Sequence, residues 1–290
     1  MSVRPTGPRA ANSPHLALVL GSGGVRSIAA LGVADVLSAA GMRPDLVVGC
    51  SSGALFGACI ALGMSGAQGL EAATRLWSAE LTEKKRWRAW FELIAPRLAR
   101  FGADFAMRDA GLIQARVERA FGASRFEELP TELRVVATDV SSGAPTVLTR
   151  GLVADAVRAS MALPFLFPSV AIHGRRLSDG VLSDPLPLSV AADARASITV
   201  GFRGAMPRRV DRVSRLVAQV TTTMINNLQQ ARVAAAQAAG QRVLHLDVVV
   251  DRRIRLWETA AMPGIYAAGQ RVAREQLPAI RRMLDFPVAA

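Results

Sequence analysis

Short apolar runs alternate with longer segments of helical periodicity along most of the chain. The runs that predict buried strands are residues 16–20, 46–49, 134–139, 198–202 and 243–250. A continuous apolar run is typical of a strand that is covered on both faces, as in parallel sheets. Because these strands alternate with helices, the pattern predicts an α/β fold with a layered, mostly parallel sheet flanked by helices.

Helical spacing predicts the connecting elements, and the remaining short runs predict a strand at 145–149 and a hairpin at 170–177. The predicted helices cover 24–40, 53–62, 71–100 with a break at Pro96, 109–121, 152–162, 188–192, 210–239 and 265–284. No internal repeat or clear linker divides these elements. We therefore expect a flexible leader over 1–14, which lacks the apolar stretch of a secretory signal, followed by one domain over 15–290.

Composition and charge narrow the function classes only partly. The chain is 51% hydrophobic and carries a formal net charge of +12, almost all from arginine. That charge suits phospholipid headgroups, nucleic acid or acidic proteins, but no nucleic-acid-binding motif accompanies it, so no nucleic-acid partner is expected. The uncharged stretch 46–70 is long enough to span a bilayer. Its glycines and serines favour a buried strand and helix instead.

A basic and aromatic segment, 84–91, is a candidate for peripheral membrane contact. The alternative is a surface helix whose aromatic rings pack on the core. Cys50 and Cys59 lie in apolar surroundings without metal-ligand spacing, which predicts small buried side chains in a reducing, cytoplasmic compartment. The oligomeric state stays open.

The most informative motif is Gly49-Cys50-Ser51-Ser52-Gly53, which directly follows an apolar strand. An apolar strand that runs into G-x-S-x-G is the pattern of a nucleophile elbow, in which a sharp turn between strand and helix exposes one serine hydroxyl. The glycine spacing places Ser51 at the apex and Ser52 in the first turn of the helix. The motif predicts a serine hydrolase.

A second motif, the glycine-rich loop 21–27, lies between the first strand and the first helix. Its backbone N–H groups, near a helix N-terminus, can hold a phosphate or an oxyanion. The dinucleotide pattern G-x-G-x-x-G is incomplete, because Ser27 stands where the last glycine is required. The loop therefore fits an oxyanion better than a nucleotide.

The serine also needs a base, and the three histidines are poorly placed to provide one. His15 lies at the leader boundary, His173 in the predicted hairpin and His245 in a strand pattern. A carboxylate within hydrogen-bond reach can replace histidine. Asp179, which precedes Gly180 after the hairpin, is the best candidate, although Asp-Gly is also a common turn.

Together these motifs resemble the patatin-like phospholipase family, most closely its compact bacterial members. The loop, the elbow and Asp179-Gly180 occur in the family's order, and segments 137–143 and 158–168 match as well. The resemblance covers roughly 16–200 and implies a patatin-like fold and hydrolysis of acyl esters of phospholipids, lysophospholipids and neutral lipids. It implies neither a metal nor another cofactor.

The resemblance also implies a role for each site residue. Ser51 is the expected nucleophile and Asp179 the expected base of a Ser-Asp dyad, with Gly49 and Gly53 shaping the elbow. The expected oxyanion hole is formed by the amides of Ser22, Gly23, Gly24 and Val25. Arg26 is expected to orient that loop or to bind a lipid phosphate.

Three positions depart from the usual family pattern. Ser22 and Ser27 replace glycines of the loop, and Val181 replaces a glycine or alanine after Asp179-Gly180. These changes motivate an alternative function, in which a weak or inactive family member serves as a lipid-binding or regulatory protein.

Overall fold

The computed structural model describes residues 15–77, 105–108, 110–202, 204, 206–207, 209–248, 254 and 258–285. Within them, the strands are β1 Leu16–Leu20, β2 Leu46–Cys50, β3 Glu132–Asp139, β4 Pro145–Leu148, β5 Val170–Ile172, β6 Arg175–Asp179, β7 Ala196–Gly201 and β8 Val243–Asp247. The helices are α1 Ala29–Ala39, α2 Ser52–Ala61, α3 Gly66–Leu76, α4 Ala110–Phe121, α5 Val153–Ser160, α6 Val213–Ala238 and α7 Met262–Asp285. Short 3₁₀ turns complete the set at Gly24–Ile28, Phe126–Glu128, Gly180–Leu182, Leu188–Ala191 and Thr259–Ala261.

Five parallel strands form the centre of one mixed sheet, in the order β3-β2-β1-β7-β8. Strands β4 and β6 both pair antiparallel with β3, and β5 pairs antiparallel with β6. The predicted fold class, a layered and mostly parallel sheet flanked by helices, is therefore confirmed. The predicted hairpin is β5–β6, whose turn residues His173 and Gly174 adopt φ values of 48° and 75°.

Both faces of the central strands are buried, which explains their unbroken apolar sequences. In β1, Leu16, Leu18 and Leu20 belong to the larger core cluster, on the face covered by α1 and α2. Ala17 and Val19 belong to the smaller cluster, which includes Leu186, Leu188 and Ala236. Helices therefore cover both faces of the sheet.

Two expectations about apolar segments are settled by these elements. The uncharged stretch 46–70 forms β2, α2 and the first part of α3. Among the described residues, no helix combines the length and hydrophobicity needed to cross a bilayer. Cys50 and Cys59 are free and buried, as predicted. The leader 1–14 and the candidate membrane segment 84–91 lie outside the described residues.

Candidate active site

Strand β3 brings two distant parts of the chain together. Val135 and Val136 pair with β2 and with β4 at the same time, so these two strands lie on opposite sides of β3. Ala137 and Thr138 pair with β4 and with β6, so β6 lies on the same side as β2. Because β2 is parallel to β3 and β6 is antiparallel, β2 and β6 approach each other end to end along one side of β3.

The register fixes which residues meet at that junction. Cys50, the last residue of β2, pairs with Val136, and Asp179, the last residue of β6, pairs with Ala137. Ser51 follows Cys50 directly. The predicted nucleophile and the predicted base, 128 positions apart in sequence, therefore face each other across the junction of two strands.

Ser51 has the backbone conformation of a nucleophile elbow. Its φ of 56° and ψ of −126° are unusual for a residue with a side chain, and it caps the N-terminus of α2, which begins at Ser52, one residue before the predicted start. The flanking glycines permit the sharp turn, because a Cβ at Gly49 would lie 2.5 Å from the Cα of Ala54 and one at Gly53 would lie 2.4 Å from the Leu20 carbonyl oxygen.

A neighbouring helix holds the elbow in place. The Ser51 amide donates to Ser160 Oγ at 2.8 Å, and the Ser160 hydroxyl donates to the Val136 carbonyl oxygen at 2.6 Å. Ser160, the last residue of α5, thereby connects the elbow to β3 next to the strand junction. The sequence motifs did not identify this positioning role for Ser160.

The central contact of the site is the hydrogen bond that the Ser51 hydroxyl donates to Asp179 Oδ2 at 2.8 Å. The other carboxylate oxygen, Oδ1, accepts from the Val181 amide at 2.9 Å. Asp179 is only 2% exposed. Desolvation raises the pKa of Asp179 from 3.8 to about 7, and the hydrogen bonds from Val181 and Ser51 oppose that rise. A carboxyl group with this pKa is well matched to proton transfer near neutral pH.

The backbone of Asp179 is also fixed by neighbours. Its amide donates to the Ala162 carbonyl oxygen at 3.0 Å, and its carbonyl oxygen accepts from Thr138 Oγ1 at 2.8 Å. Asp179 is therefore held on both sides of its Cα, and its carboxylate has little freedom to leave Ser51.

The four amides of the predicted oxyanion hole have different partners. The Ser22 amide donates to the Pro185 carbonyl oxygen at 2.9 Å, and the Gly23 amide donates to Ser52 Oγ at 3.1 Å. Within the described part of the chain, the amides of Gly24 and Val25 have no hydrogen-bond acceptor. Since these two amides open the 3₁₀ turn Gly24–Ile28, they are its unpaired N-terminal donors.

Two buried hydroxyl groups hold the loop against the elbow helix. Ser27 Oγ lies 2.8 Å from Ser52 Oγ and donates to the Gly21 carbonyl oxygen at 3.2 Å. Since the Gly23 amide can only donate and the Gly21 carbonyl can only accept, the protons have one consistent order: Gly23 N–H to Ser52, Ser52 to Ser27, and Ser27 to Gly21. Ser27, which departs from the usual glycine, is thus fully hydrogen-bonded.

The other expected participants are placed as follows. Arg26 Nε donates to the Gly23 carbonyl oxygen at 3.2 Å, so the side chain contacts the loop, and burial lowers the pKa of its guanidinium. The ring of His245 shares a 2.7 Å hydrogen bond with Thr199 Oγ1, and His173 lies in the hairpin turn. Among the described residues, no cluster of three or more His, Cys, Asp or Glu side chains could bind a metal ion.

Several known proteins resemble about two thirds of this chain. An uncharacterized NTE family protein of Mycobacterium tuberculosis is 33% identical over 197 residues, which are 66% of this chain and 49% of the relative. "Lysophospholipase NTE1" of Phaeosphaeria nodorum is 30% identical over 193 residues, 63% of this chain and 12% of its own length. The chain thus spans half or less of these relatives.

Similarity to solved structures is weaker. The crystal structure of VipD from Legionella pneumophila matches 90% of this chain and 66% of its own, with 14% identity and a TM-score of 0.47. The model of the family described as "Patatin-like phospholipase" matches residues 18–192, more than half of the chain, and includes the loop, the elbow and Asp179. This chain belongs to the patatin-like phospholipase family.

Proposed function

We propose that the protein is a lipid acyl hydrolase that uses Ser51 as nucleophile and Asp179 as general base. Its substrates would be acyl esters of phospholipids, lysophospholipids or neutral lipids. The observation that carries this proposal is the 2.8 Å hydrogen bond from the Ser51 hydroxyl to Asp179 Oδ2, made to a carboxyl group whose pKa is raised to about 7.

The proposed reaction has two steps. The Asp179 carboxylate accepts the hydroxyl proton while Ser51 Oγ bonds to the ester carbonyl carbon, and the protonated Asp179 then delivers that proton to the departing alcohol or lysolipid. The product is an acyl-enzyme on Ser51. Asp179 next accepts a proton from water, which attacks the acyl carbonyl, and returns the proton to Ser51 Oγ as the fatty acid leaves.

The oxyanion of each tetrahedral intermediate needs preorganised donors. Of the four loop amides, those of Gly24 and Val25 are the ones we assign to it, because the amides of Ser22 and Gly23 already donate to Pro185 and Ser52. Removal of one such donor typically costs about 2.7–4 kcal/mol of transition-state stabilisation. In this proposal Ser22 and Gly23 fix the loop, and Gly24 and Val25 contact the substrate.

The three departures from the family pattern are accommodated without backbone strain, which is compatible with the proposed activity. Ser22 and Val181 are not among the described non-glycine residues with positive φ, so neither side chain imposes a strained backbone. Ser27 is buried and hydrogen-bonded. Val181 supplies the amide that Asp179 accepts. The lipid-binding alternative therefore has no structural feature in its favour at these positions.

Reaction with a fluorophosphonate, followed by peptide mass spectrometry, tests the proposal. We expect one adduct on Ser51, hydrolysis of a short-chain nitrophenyl ester, and loss of both in Ser51→Ala. Ser214→Ala is the control, because it removes an exposed hydroxyl of α6 and should still be labelled at Ser51. Equal labelling of folded Ser51→Ala would place the nucleophile elsewhere, and no labelling of the wild-type protein would favour the binding function.

A further inference from the structure

The N-terminal half of α6 extends beyond the sheet on the side of the candidate site. Gln229 lies against Gly21, at the end of β1 where the glycine-rich loop begins, and Ala236 packs in the smaller core cluster. The helix begins at Val213, and the 16 residue steps from Val213 to Gln229 span about 24 Å at 1.5 Å per step. Residues 211–221 are all exposed.

This projecting half carries an apolar stripe. Val213, Leu216, Val217, Val220 and Met224 are between 51% and 79% exposed. At 100° per residue these five side chains fall within an arc of about 100°, the width of the apolar face of an amphipathic helix. We call this set the α6 stripe.

The α6 stripe faces away from the body of the protein. Helix α6 is attached through Asn226, which exchanges two hydrogen bonds with the backbone of Gly204, and through Gln229, Arg232, Val233 and Ala236, of which Arg232 pairs with Asp184. On the same helical projection these residues centre about 170° from the stripe. Since most helical stability comes from packing of an apolar face, an apolar face directed outward along a solvated helix indicates an external partner.

We propose that the α6 stripe is a docking surface for anionic lipid bilayers. Helix α6 contains no acidic residue and no lysine, and the exposed Arg209 and Arg212 precede its projecting end. Arg215 pairs with Asp211 at 2.7 Å and Arg232 with Asp184 at 3.0 Å, so neither is counted toward headgroup contact. An exposed apolar stripe that begins next to two exposed arginines suits insertion among lipids, with contact between Arg209 or Arg212 and anionic headgroups. A second copy fits less well, because a stable protein interface uses about 20–30 residues a side, and the stripe offers five.

The location of the stripe connects docking to the proposed reaction. Ser51 lies at the carboxyl end of β2, the edge of the sheet beyond which α6 projects. Two other exposed apolar side chains, Phe165 and Leu182, belong to segments next to Asp179: Leu182 follows it by three residues, and Phe165 follows Ala162, whose carbonyl accepts from the Asp179 amide. The link between docking and catalysis rests on the proposed function, but binding of the protein to a membrane can be measured without hydrolysis.

Vesicle flotation tests the docking surface, in a Ser51→Ala background so that no lipid is consumed. We expect binding to vesicles of equimolar phosphatidylcholine and phosphatidylglycerol, and binding weaker by about tenfold or more to phosphatidylcholine alone. Val217→Glu with Val220→Glu should weaken binding to the anionic vesicles by at least about tenfold. Ser214→Glu with Gln219→Glu is the control, since it adds the same charge to exposed polar positions of the same helix and should retain most of the binding.

Three results would overturn the docking proposal: no binding of the parent protein to anionic vesicles, equal binding of the stripe variant, or an equal loss in the control variant. A concentration-dependent dimer that the stripe substitutions dissociate would instead assign the stripe to a second copy. With Ser51 restored, the stripe variant should hydrolyse a soluble short-chain ester within about twofold of wild type and vesicle lipid at least about tenfold more slowly. Vesicle binding without any Ser51-dependent ester hydrolysis would refute the proposed function and leave the docking surface standing.

Discussion

Replacement of Asp179 by asparagine should stabilise the folded protein at alkaline pH while it removes the proposed base. Burial raises the pKa of this carboxyl from 3.8 to about 7, so the fold disfavours the ionised form. At 1.36 kcal/mol per pKa unit, keeping Asp179 ionised in the folded state costs about 4 kcal/mol above pH 7. Asparagine is neutral at every pH, and its Oδ1 can still accept from the Val181 amide.

The raised pKa of Asp179 determines how the stability difference between Asp179→Asn and wild type changes with pH. Between about pH 4 and 7 the folded protein retains a proton on Asp179 that the unfolded chain has lost, so wild-type stability from this group is greatest below pH 4 and falls as pH rises towards 7. The advantage of Asp179→Asn should therefore be near zero at pH 4 and grow to about 4 kcal/mol at pH 8. Urea denaturation of both proteins across this range measures the difference, in which the other titrating groups largely cancel.

Asp139→Asn provides a control of opposite sign. The half-buried Asp139 accepts from the amides of Ser142 and Ser141, which lower its pKa. Its contribution to stability is present above the unfolded pKa and disappears as pH falls through the folded value, so Asp139→Asn should be destabilising at neutral pH. An Asp179→Asn protein that is less stable than wild type at pH 8, or whose advantage does not change with pH, would refute the assignment of the raised pKa to burial of Asp179.

Three further predictions follow from the same contacts. Because the ionised form of Asp179 is the proposed base, kcat/KM for a soluble ester should rise tenfold per pH unit up to about pH 7 and then level off; a flat profile down to pH 5 would contradict this role. Ser160→Ala should cost about 1–3 kcal/mol in urea denaturation and lower kcat, because the Ser51 amide loses its acceptor; unchanged stability and kcat would show that Ser160 does not hold the elbow. Arg232→Met should destabilise the fold because it leaves buried Asp184 without its 3.0 Å ion pair; the cost should be about 2–3 kcal/mol, less than for a fully buried pair, since the Arg232 side chain is 34% exposed. Adding Asp184→Asn should recover most of that loss, and no recovery would mean that the cost comes from packing.

The fold class and the Ser51 elbow could be predicted from sequence because their determinants are local. Strands buried on both faces appear as unbroken apolar runs, and the elbow requires glycine at positions 49 and 53, where a Cβ would contact backbone atoms. Asp179 was predictable only as a candidate, since Asp-Gly also forms simple turns.

The supporting hydrogen bonds could not be predicted because they join segments that are distant in sequence. Ser160 lies 109 positions from Ser51, and a serine at the end of an amphipathic helix gives no signal of its partner. The amides of Ser22 and Gly23 donate within the protein because the fold brings the Pro185 carbonyl and the Ser52 hydroxyl next to them. The sequence does not reveal these contacts. Likewise, periodicity predicted a helix over 210–239 but not that its first half would have an uncovered apolar face.

The pairing along β3 makes the spacing of the site depend on a single peptide step. Cys50 is aligned with Val136, and Asp179 is aligned with Ala137. These two consecutive residues of β3 therefore determine the distance between the end of β2 and the end of β6. One residue inserted between Val136 and Ala137 would displace β6 by about 3.3 Å and turn its side chains to the opposite face. Strand β3 therefore fixes the distance between Ser51 and Asp179. An insertion or deletion between Val136 and Ala137 would separate the proposed nucleophile and base even if the chain still folded.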